Sequence, residues 1–284
     1  MDRIEKNLCI SLFYEKSHWH RMVLEAIYPY IYCNKDILDY TLQLSIYRGE
    51  HIRLTLLVQS VAGMEVLKKV DKTFKKYLKE NPSPTTKSIT PDNGFFLNFR
   101  NNSVHYGAFE TVDFKYVFKP KKHLLNGITE VIFQLFQEYG NDTMDYYMEI
   151  FLQLLSKYIK AFFETKSQAL KILDDLLFEE RNTFNESTLL KLDVLNAENF
   201  AINKKQLEDL IAWNAIERPE NLNSNWIETW CNALEKVKGS KKDENSAMDY
   251  FQENKNLIKT IADSMAFQER LTAYYFLRET INNS

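Results

Sequence analysis

Two residues that could do chemistry together, His51 and Arg53, stand two positions apart in the sequence. Residues two apart on a β-strand project from the same face, so the two side chains would lie side by side. Arginine offers planar, bidentate donors to a carboxylate, and histidine can transfer a proton near neutral pH. The pair therefore predicts a site for an anion or a peptide carboxyl group, with Arg53 and His51 as candidate catalytic residues. The alternative is the solvated side of an antiparallel sheet, where such residues are common.

The segment that carries this pair, 42–58, alternates like a β-hairpin. Apolar residues would line one face and polar residues the other. A three-residue turn at 48–50 would reverse the chain, and Gly49 supplies the permissive backbone for it. The predicted cross-strand pairs are Tyr47 with His51, Ser45 with Arg53, and Gln43 with Thr55. Tyr47 and Ser45 therefore join the site as candidate substrate-binding residues.

The elements around the hairpin have the order of a split βαβ sheet. The predicted elements are a strand at 7–14, a helix after Ser17, the two hairpin strands, a helix after Ser60, and strands at 95–99 and 108–118. Strand, helix, strand, strand, helix, strand is the order of a ferredoxin-like βαββαβ antiparallel sheet. In that arrangement helices cover one face and leave the other available. Residues 1–120 are thus predicted to form an α+β sheet subdomain.

The rest of the chain has the pattern of a helical region. Only Pro219 and three glycines follow Pro120, and long stretches repeat apolar residues at helical spacing. Helices are predicted at 124–139, 143–164, 167–178, 204–213, 224–237 and 247–281. Residues 121–284 are expected to form a helical subdomain packed against the sheet in one compact body. The predicted fold class is α+β, mostly helical.

The composition of the 284-residue chain argues against several function classes. A formal net charge of −3 and a pI near 6.0 give no global basic field, so nucleic acid is not favoured as a partner. No long apolar run occurs at the amino terminus, so we expect no membrane span and a cytoplasmic location. Cys9, Cys33 and Cys231 have neither metal-ligand spacing nor the even count of a disulfide framework. We find no glycine-rich phosphate loop, and we expect no metal and no cofactor.

Three parts of the chain carry a resemblance to a known family. Residues 51–55 read His-Ile-Arg-Leu-Thr, residues 105–108 read His-Tyr-Gly-Ala, and Arg270 lies in a predicted helix. They resemble motifs of the thiopeptide-type bacteriocin biosynthesis family, which includes the carboxy-terminal glutamate-elimination domain of lantibiotic dehydratases and stand-alone members. The family motifs are His-Leu-Arg-Leu-Arg, Arg-Tyr-Gly-Gly and a late His-Met followed by Asn-Arg. The resemblance adds His105, Tyr106 and Arg270 as candidate substrate-binding residues.

The resemblance implies a reaction on a ribosomally made precursor peptide. In the elimination domains, a glutamyl ester on a serine or threonine loses glutamate and leaves a dehydroamino acid. That step needs a base for the α proton, together with positive donors for the developing enolate and the departing carboxylate. The family's second arginine is Thr55 here, the arginine of its second motif is His105, and its late histidine is absent.

Two functions therefore stay open at the level of the sequence. The first is a stand-alone lyase of peptide maturation, similar to the elimination domains or to the related pyridine synthases. The second is a non-catalytic subunit that binds the precursor peptide and partners a separate dehydratase or other modifying enzyme. The missing arginines and histidine favour the second function, and the survival of His51 and Arg53 favours the first.

Overall fold

The computed structural model describes residues 5–84, 98–109, 113–211, 225–243 and 250–284. The fold is α+β and mostly helical, with 68% helix and a four-stranded antiparallel sheet near the amino terminus, as the sequence predicts. Residue contacts divide the chain into two compact units. The first unit contains Met1–Met144 and Asp263–Ala266, and the second contains Asp145–Ala262 and Phe267–Ser284.

The first unit contains the sheet and the helices that flank it. The strands are β1 (Glu5–Phe13), β2 (Ile37–Ser45), β3 (His51–Gln59) and β4 (Ser103–Tyr106). Strand β1 is followed by a 3₁₀ turn (Lys16–His18), α1 (Trp19–Arg21), a π-helical segment (Met22–Ile27) and α2 (Tyr28–Cys33). Helix α3 (Gly63–Glu80) follows β3, and α4 (Lys119–Tyr139) follows β4. The strand order β2-β3-β1-β4, antiparallel throughout, confirms the ferredoxin-like sheet.

The fourth strand is not where the sequence predicts it. Residues 108–109 and 113–118 form no strand, and neither do residues 98–99, so both predicted strands are wrong in their described parts. Residues 95–97 and 110–112 lie outside the described residues. The observed strand β4 lies between the two predicted segments. Asn102 (φ 58°) and Gly107 (φ 61°) bound it with left-handed backbone conformations that end an extended strand on either side.

The β2–β3 hairpin has the predicted faces in a different register. Ser45, not Tyr47, lies opposite His51, and Gln43 lies opposite Arg53, so the strands are offset by two residues from the prediction. The loop is longer because Arg48 (φ 58°) and Gly49 (φ 113°) both adopt positive φ and the Gly49 amide donates to the Ile46 carbonyl at 3.1 Å. A two-residue offset leaves every side chain on its predicted face, since side chains alternate with a period of two.

One face of the sheet is apolar and packs against helices. In the three long strands, the apolar side chains on this face are at most 1% exposed. These residues are Ile10, Leu12, Leu42, Leu44, Ile52, Leu54, Leu56 and Val58. Helix α3 contacts β1, β3 and β4 and buries Val66, Val70 and Phe74. Full burial of each such side chain contributes roughly 1.5–3 kcal/mol. This packing fixes the sheet, and with it the opposite face, which carries the polar residues.

The second unit is helical in its described part. Its helices are α5 (Tyr147–Phe162), α6 (Lys166–Arg181), α7 (Glu186–Ile211), α8 (Asn225–Asp243), α9 (Tyr250–Ser264) and α10 (Arg270–Asn283), the last two residues of α9 belonging to the first unit. The single helix predicted at 247–281 is two helices, because Ala266 takes a positive φ of 53° between them. The helix predicted to begin at 204 begins at Glu186.

Packing within the second unit involves aromatic rings and one buried ion pair. Phe151 and Phe267 stack with ring centroids 3.8 Å apart, and the Trp230 indole donates to the Leu154 carbonyl at 3.0 Å. Lys241 Nζ lies 2.9 Å from Glu253 Oε1, and both side chains are buried.

Among the described residues, no helix is long and apolar enough to cross a membrane.

Candidate functional site

A row of four polar side chains crosses the face of the sheet that carries Arg53. Ser11 of β1 lies opposite both Arg53 of β3 and His105 of β4, and Gln43 of β2 lies opposite Arg53 on the other side. Residues directly opposite in an antiparallel sheet share a face. Four strands thus place His105, Ser11, Arg53 and Gln43 in one line. This row was not predicted, because the sequence indicated the hairpin but no strand at 103–106.

His51 is completely buried and uses both ring nitrogens inside the protein. Its Nδ1 lies 2.7 Å from the Gly49 carbonyl oxygen, and its Nε2 lies 3.0 Å from Arg53 Nε. A carbonyl can only accept and an arginine can only donate, so Nδ1 carries the proton and Nε2 accepts. Burial, together with the positive charge of Arg53, lowers the pKa of His51 to about 4. The ring is therefore neutral at pH 7 and holds Arg53 in place.

This arrangement changes the role that the sequence assigns to His51. Proton transfer near neutral pH needs a nitrogen lone pair that faces the substrate. The lone pair of His51 Nε2 receives the Arg53 hydrogen bond, and the pKa of about 4 lies well below neutrality. The geometry thus fits His51 as a residue that orients Arg53.

Three aromatic rings that the sequence analysis did not select surround the pair. Phe109 stacks on His51 with centroids 4.8 Å apart and planes 14° apart, and Arg53 Cζ lies 4.6 Å from the centre of the same ring. Phe13 stacks on His51 from β1 at 4.6 Å, and Phe99 lies 4.8 Å from Phe13. Phe13 could have been found by its alternation on β1, whereas Phe99 and Phe109 lie in segments that were predicted as strands and form no strand in their described parts.

The guanidinium of Arg53 is held at one end and unengaged at the other. Nε binds His51, and the flat face covers Phe109. Its two Nη atoms form no hydrogen bond to any residue within the described ranges. Burial lowers the pKa of Arg53, and the negative charge of Asp263 at the end of α9, together with Tyr47, opposes that shift. A half-buried, oriented cation with unengaged donors is suited to bind a carboxylate or a carbonyl oxygen.

Two further predicted residues lie beside this pair. Ser45 is buried opposite His51, and its hydroxyl accepts a hydrogen bond from the Tyr47 amide at 3.3 Å. Tyr47 is 49% exposed, and its ring lies 5.9 Å from Phe109. Tyr47 therefore lies at the rim of the site and Ser45 at its base.

Of the other predicted site residues, His105 lies in the row, whereas Tyr106 and Arg270 are not part of it. Tyr106 follows His105 on β4 and projects from the opposite face of the sheet, where its hydroxyl donates to Asp71 of α3 at 2.7 Å. Arg270 belongs to the second unit. There its Nε donates to the Phe267 carbonyl at 3.0 Å, and its Nη1 lies 3.9 Å from Glu180.

The described residues contain no group of three or more histidine, cysteine, aspartate or glutamate side chains that could hold a metal ion. The described site consists of side chains from the sheet and its loops. It comprises an oriented arginine, a neutral histidine that fixes it, and a second histidine in the same row.

Comparison with known proteins finds solved structures with the same fold but no matching family. No family model matches the sequence, and neither does any curated protein. Among solved structures, the chain is similar to TbtD, a pyridine synthase from thiomuracin biosynthesis, with a TM-score of 0.72 and 12% identity over 98% of each chain. It is also similar to TsrL, with a TM-score of 0.64 and 10% identity over 99% of this chain and 95% of that one. The chain therefore shares its fold with TbtD and with TsrL along nearly its whole length.

Proposed function

We propose that this protein acts in the biosynthesis of a ribosomally synthesised, post-translationally modified peptide. It binds the precursor peptide and eliminates an activated ester from a serine or threonine side chain. The proposal includes a cytoplasmic location, where such precursors are made, and a separate dehydratase as the partner that forms the ester. The fold shared with a thiomuracin pyridine synthase supports the pathway class.

One observation carries the chemical part of the proposal, namely the two unengaged Nη donors of Arg53. Removal of a proton from an α carbon places negative charge on the neighbouring carbonyl oxygen, and loss of the ester places charge on a carboxylate. Arg53 can donate to either oxygen without first reorienting, because His51 and Phe109 already hold it. Loss of one such preorganised donor typically costs roughly 10²–10³ in kcat.

A non-catalytic role is the second candidate, and one observation favours it. The second arginine of the family signature is Thr55 here, and its side chain is 2% exposed, so no second cation stands at that position. Arg53 alone would then recognise a carboxylate or carbonyl of the precursor for a separate modifying enzyme. Binding would be retained in this case, and the precursor would leave unchanged.

The test uses the precursor peptide encoded near this gene, carrying a glutamyl ester on one serine. We expect the wild-type protein to convert it to the dehydroalanine peptide with release of glutamate, which mass spectrometry detects. Arg53→Ala should lower the rate by roughly 10²–10³-fold. Arg21→Ala is the matched control, because Arg21 is partly exposed and pairs with Glu25 of the following π-helical segment.

Each outcome has a defined meaning. Release of glutamate by the wild type and by Arg21→Ala, together with loss in Arg53→Ala, supports the lyase. Saturable peptide binding without product would support the non-catalytic subunit. Absence of both binding and product in the folded protein would overturn the proposed function.

A further inference from the structure

The second histidine of the row, His105, has a hydrogen-bond arrangement opposite to that of His51. His105 Nε2 lies 3.1 Å from Ser103 Oγ, and the Ser103 hydroxyl donates its one hydrogen to the Arg100 carbonyl. The serine oxygen must therefore accept from His105, so Nε2 carries the ring proton. In the neutral ring, Nδ1 is then left with the lone pair.

The position of the His105 ring is fixed by its neighbours, and no described residue forms a hydrogen bond with its Nδ1. The ring lies 4.5 Å from the Phe99 ring and meets the Phe13 ring edge to face at 5.4 Å. Within the described ranges, the hydrogen bond at Nε2 is the one that His105 makes. The side chain is half-buried, so a bound molecule can reach it.

His105 and Arg53 flank a small residue. Both lie opposite Ser11, on the two strands that neighbour β1. Two strand spacings separate their Cα atoms by roughly 10 Å. Ser11 itself is buried, whereas Arg53 and His105 on either side of it are half-buried, so a bound peptide residue would contact these two longer side chains rather than Ser11.

We infer that His105 is the proton acceptor of the reaction, an inference that rests on the proposed elimination. His105 Nδ1 takes the α proton of the esterified residue, and the C–H electron pair forms the Cα=Cβ double bond. The Cβ–O bond breaks, and glutamate leaves as a carboxylate that carries the electron pair of the broken Cβ–O bond. Arg53 donates to the carbonyl oxygen on which charge develops, and His105 then returns its proton to solvent. His51 takes no part in proton transfer and serves to orient Arg53.

The experiment measures peptide affinity and turnover of the esterified precursor separately. His105→Gln keeps a similar size but has no basic nitrogen. We expect kcat to fall by roughly 10²–10⁴-fold, the usual contribution of a general base, with peptide affinity within about twofold of wild type. Added imidazole should restore part of the rate in His105→Ala. Ser103→Ala removes the acceptor that fixes the tautomer, and we expect a smaller, roughly fivefold loss.

Controls separate failure of this inference from failure of the proposed function. His20→Gln changes a helical histidine of the segment after β1 and should leave kcat unchanged. If the wild type forms product and His105→Gln forms it equally fast, the inference is overturned while the lyase stands. If His105→Gln does not fold, the imidazole response of His105→Ala decides the matter, and an absent response counts against His105. If the wild type forms no product, the proposed elimination fails and His105 loses its role with it.

Discussion

Arg53 Nε donates a hydrogen bond to His51 Nε2 across 3.0 Å, and this contact determines the chemical state of both side chains. It requires a neutral imidazole with its proton on Nδ1, where the Gly49 carbonyl accepts it. In this pair, His51 orients Arg53, and Arg53 is the residue that can bind an oxygen of a ligand.

The first prediction concerns pH and stability. The folded pKa of His51, about 4, lies below the usual value of 6.5, so the unfolded chain binds more protons between these two values. Stability is therefore full above about pH 6.5 and is lost as the pH falls towards 4, by up to about 3 kcal/mol. His51→Asn should lack this part of the pH dependence. Urea unfolding between pH 7 and pH 4 measures it, and parallel curves for the two proteins would contradict the account.

The second prediction separates packing from orientation at position 51. His51→Phe keeps a ring against Phe13 and Phe109 but removes the acceptor for Arg53 Nε. We expect a folded protein whose peptide affinity falls by roughly tenfold, the order of one charge-assisted hydrogen bond. Isothermal titration calorimetry measures this change. An affinity equal to that of wild type would show that Arg53 needs no support from His51.

The third prediction tests the ring beneath the guanidinium. Phe109→Leu keeps apolar volume, yet removes the π face that lies 4.6 Å from Arg53 Cζ. A cation–π contact of this kind contributes about 0.5–2 kcal/mol. We therefore expect peptide affinity to weaken by roughly 2- to 30-fold in Phe109→Leu. Phe114→Leu, a change at a buried phenylalanine elsewhere in the first unit, should leave the affinity unchanged.

The sequence predicted correctly which hairpin residues share a face, but it predicted the wrong cross-strand pairs. Alternation alone fixes which residues share a face, so Arg53, His51 and Ser45 were grouped correctly. Register depends on the loop, and the positive φ of Arg48 carries no sequence signal as strong as that of a glycine. The error placed Tyr47 opposite His51, whereas Tyr47 lies in the loop.

The rest of the site depended on long-range structure. His105 reached the row only through the pairing of β4 with β1, and β4 is too short to be read from alternation. Phe109 lies in a segment that was predicted as a strand, and its contact with Arg53 follows from no local pattern. Tyr106 and Arg270 were chosen from motif resemblance. Tyr106 projects from the other sheet face, and Arg270 belongs to the second unit.

The fourth prediction concerns the buried ion pair of the second unit. Lys241 Nζ binds Glu253 and Asn254 and lies 4.7 Å from the centre of the Phe162 ring. Lys241→Met leaves Glu253 buried without its cation, which should cost about 3–5 kcal/mol. The double variant Lys241→Met with Glu253→Gln should recover most of that loss in urea unfolding. A double variant as unstable as the single one would mean that the loss came from packing rather than from the charge.

The central claim is that the Nη donors of Arg53 bind an oxygen of the precursor peptide, and the affinity of Arg53→Lys tests it most directly. Lysine keeps the positive charge but cannot reproduce the planar fork of donors or the hydrogen bond to His51. Calorimetric titration of wild type, Arg53→Lys and Arg53→Ala should show affinity weakened by roughly ten- to hundredfold in both variants, with melting temperatures close to that of wild type. Equal affinity in all three proteins would contradict the account.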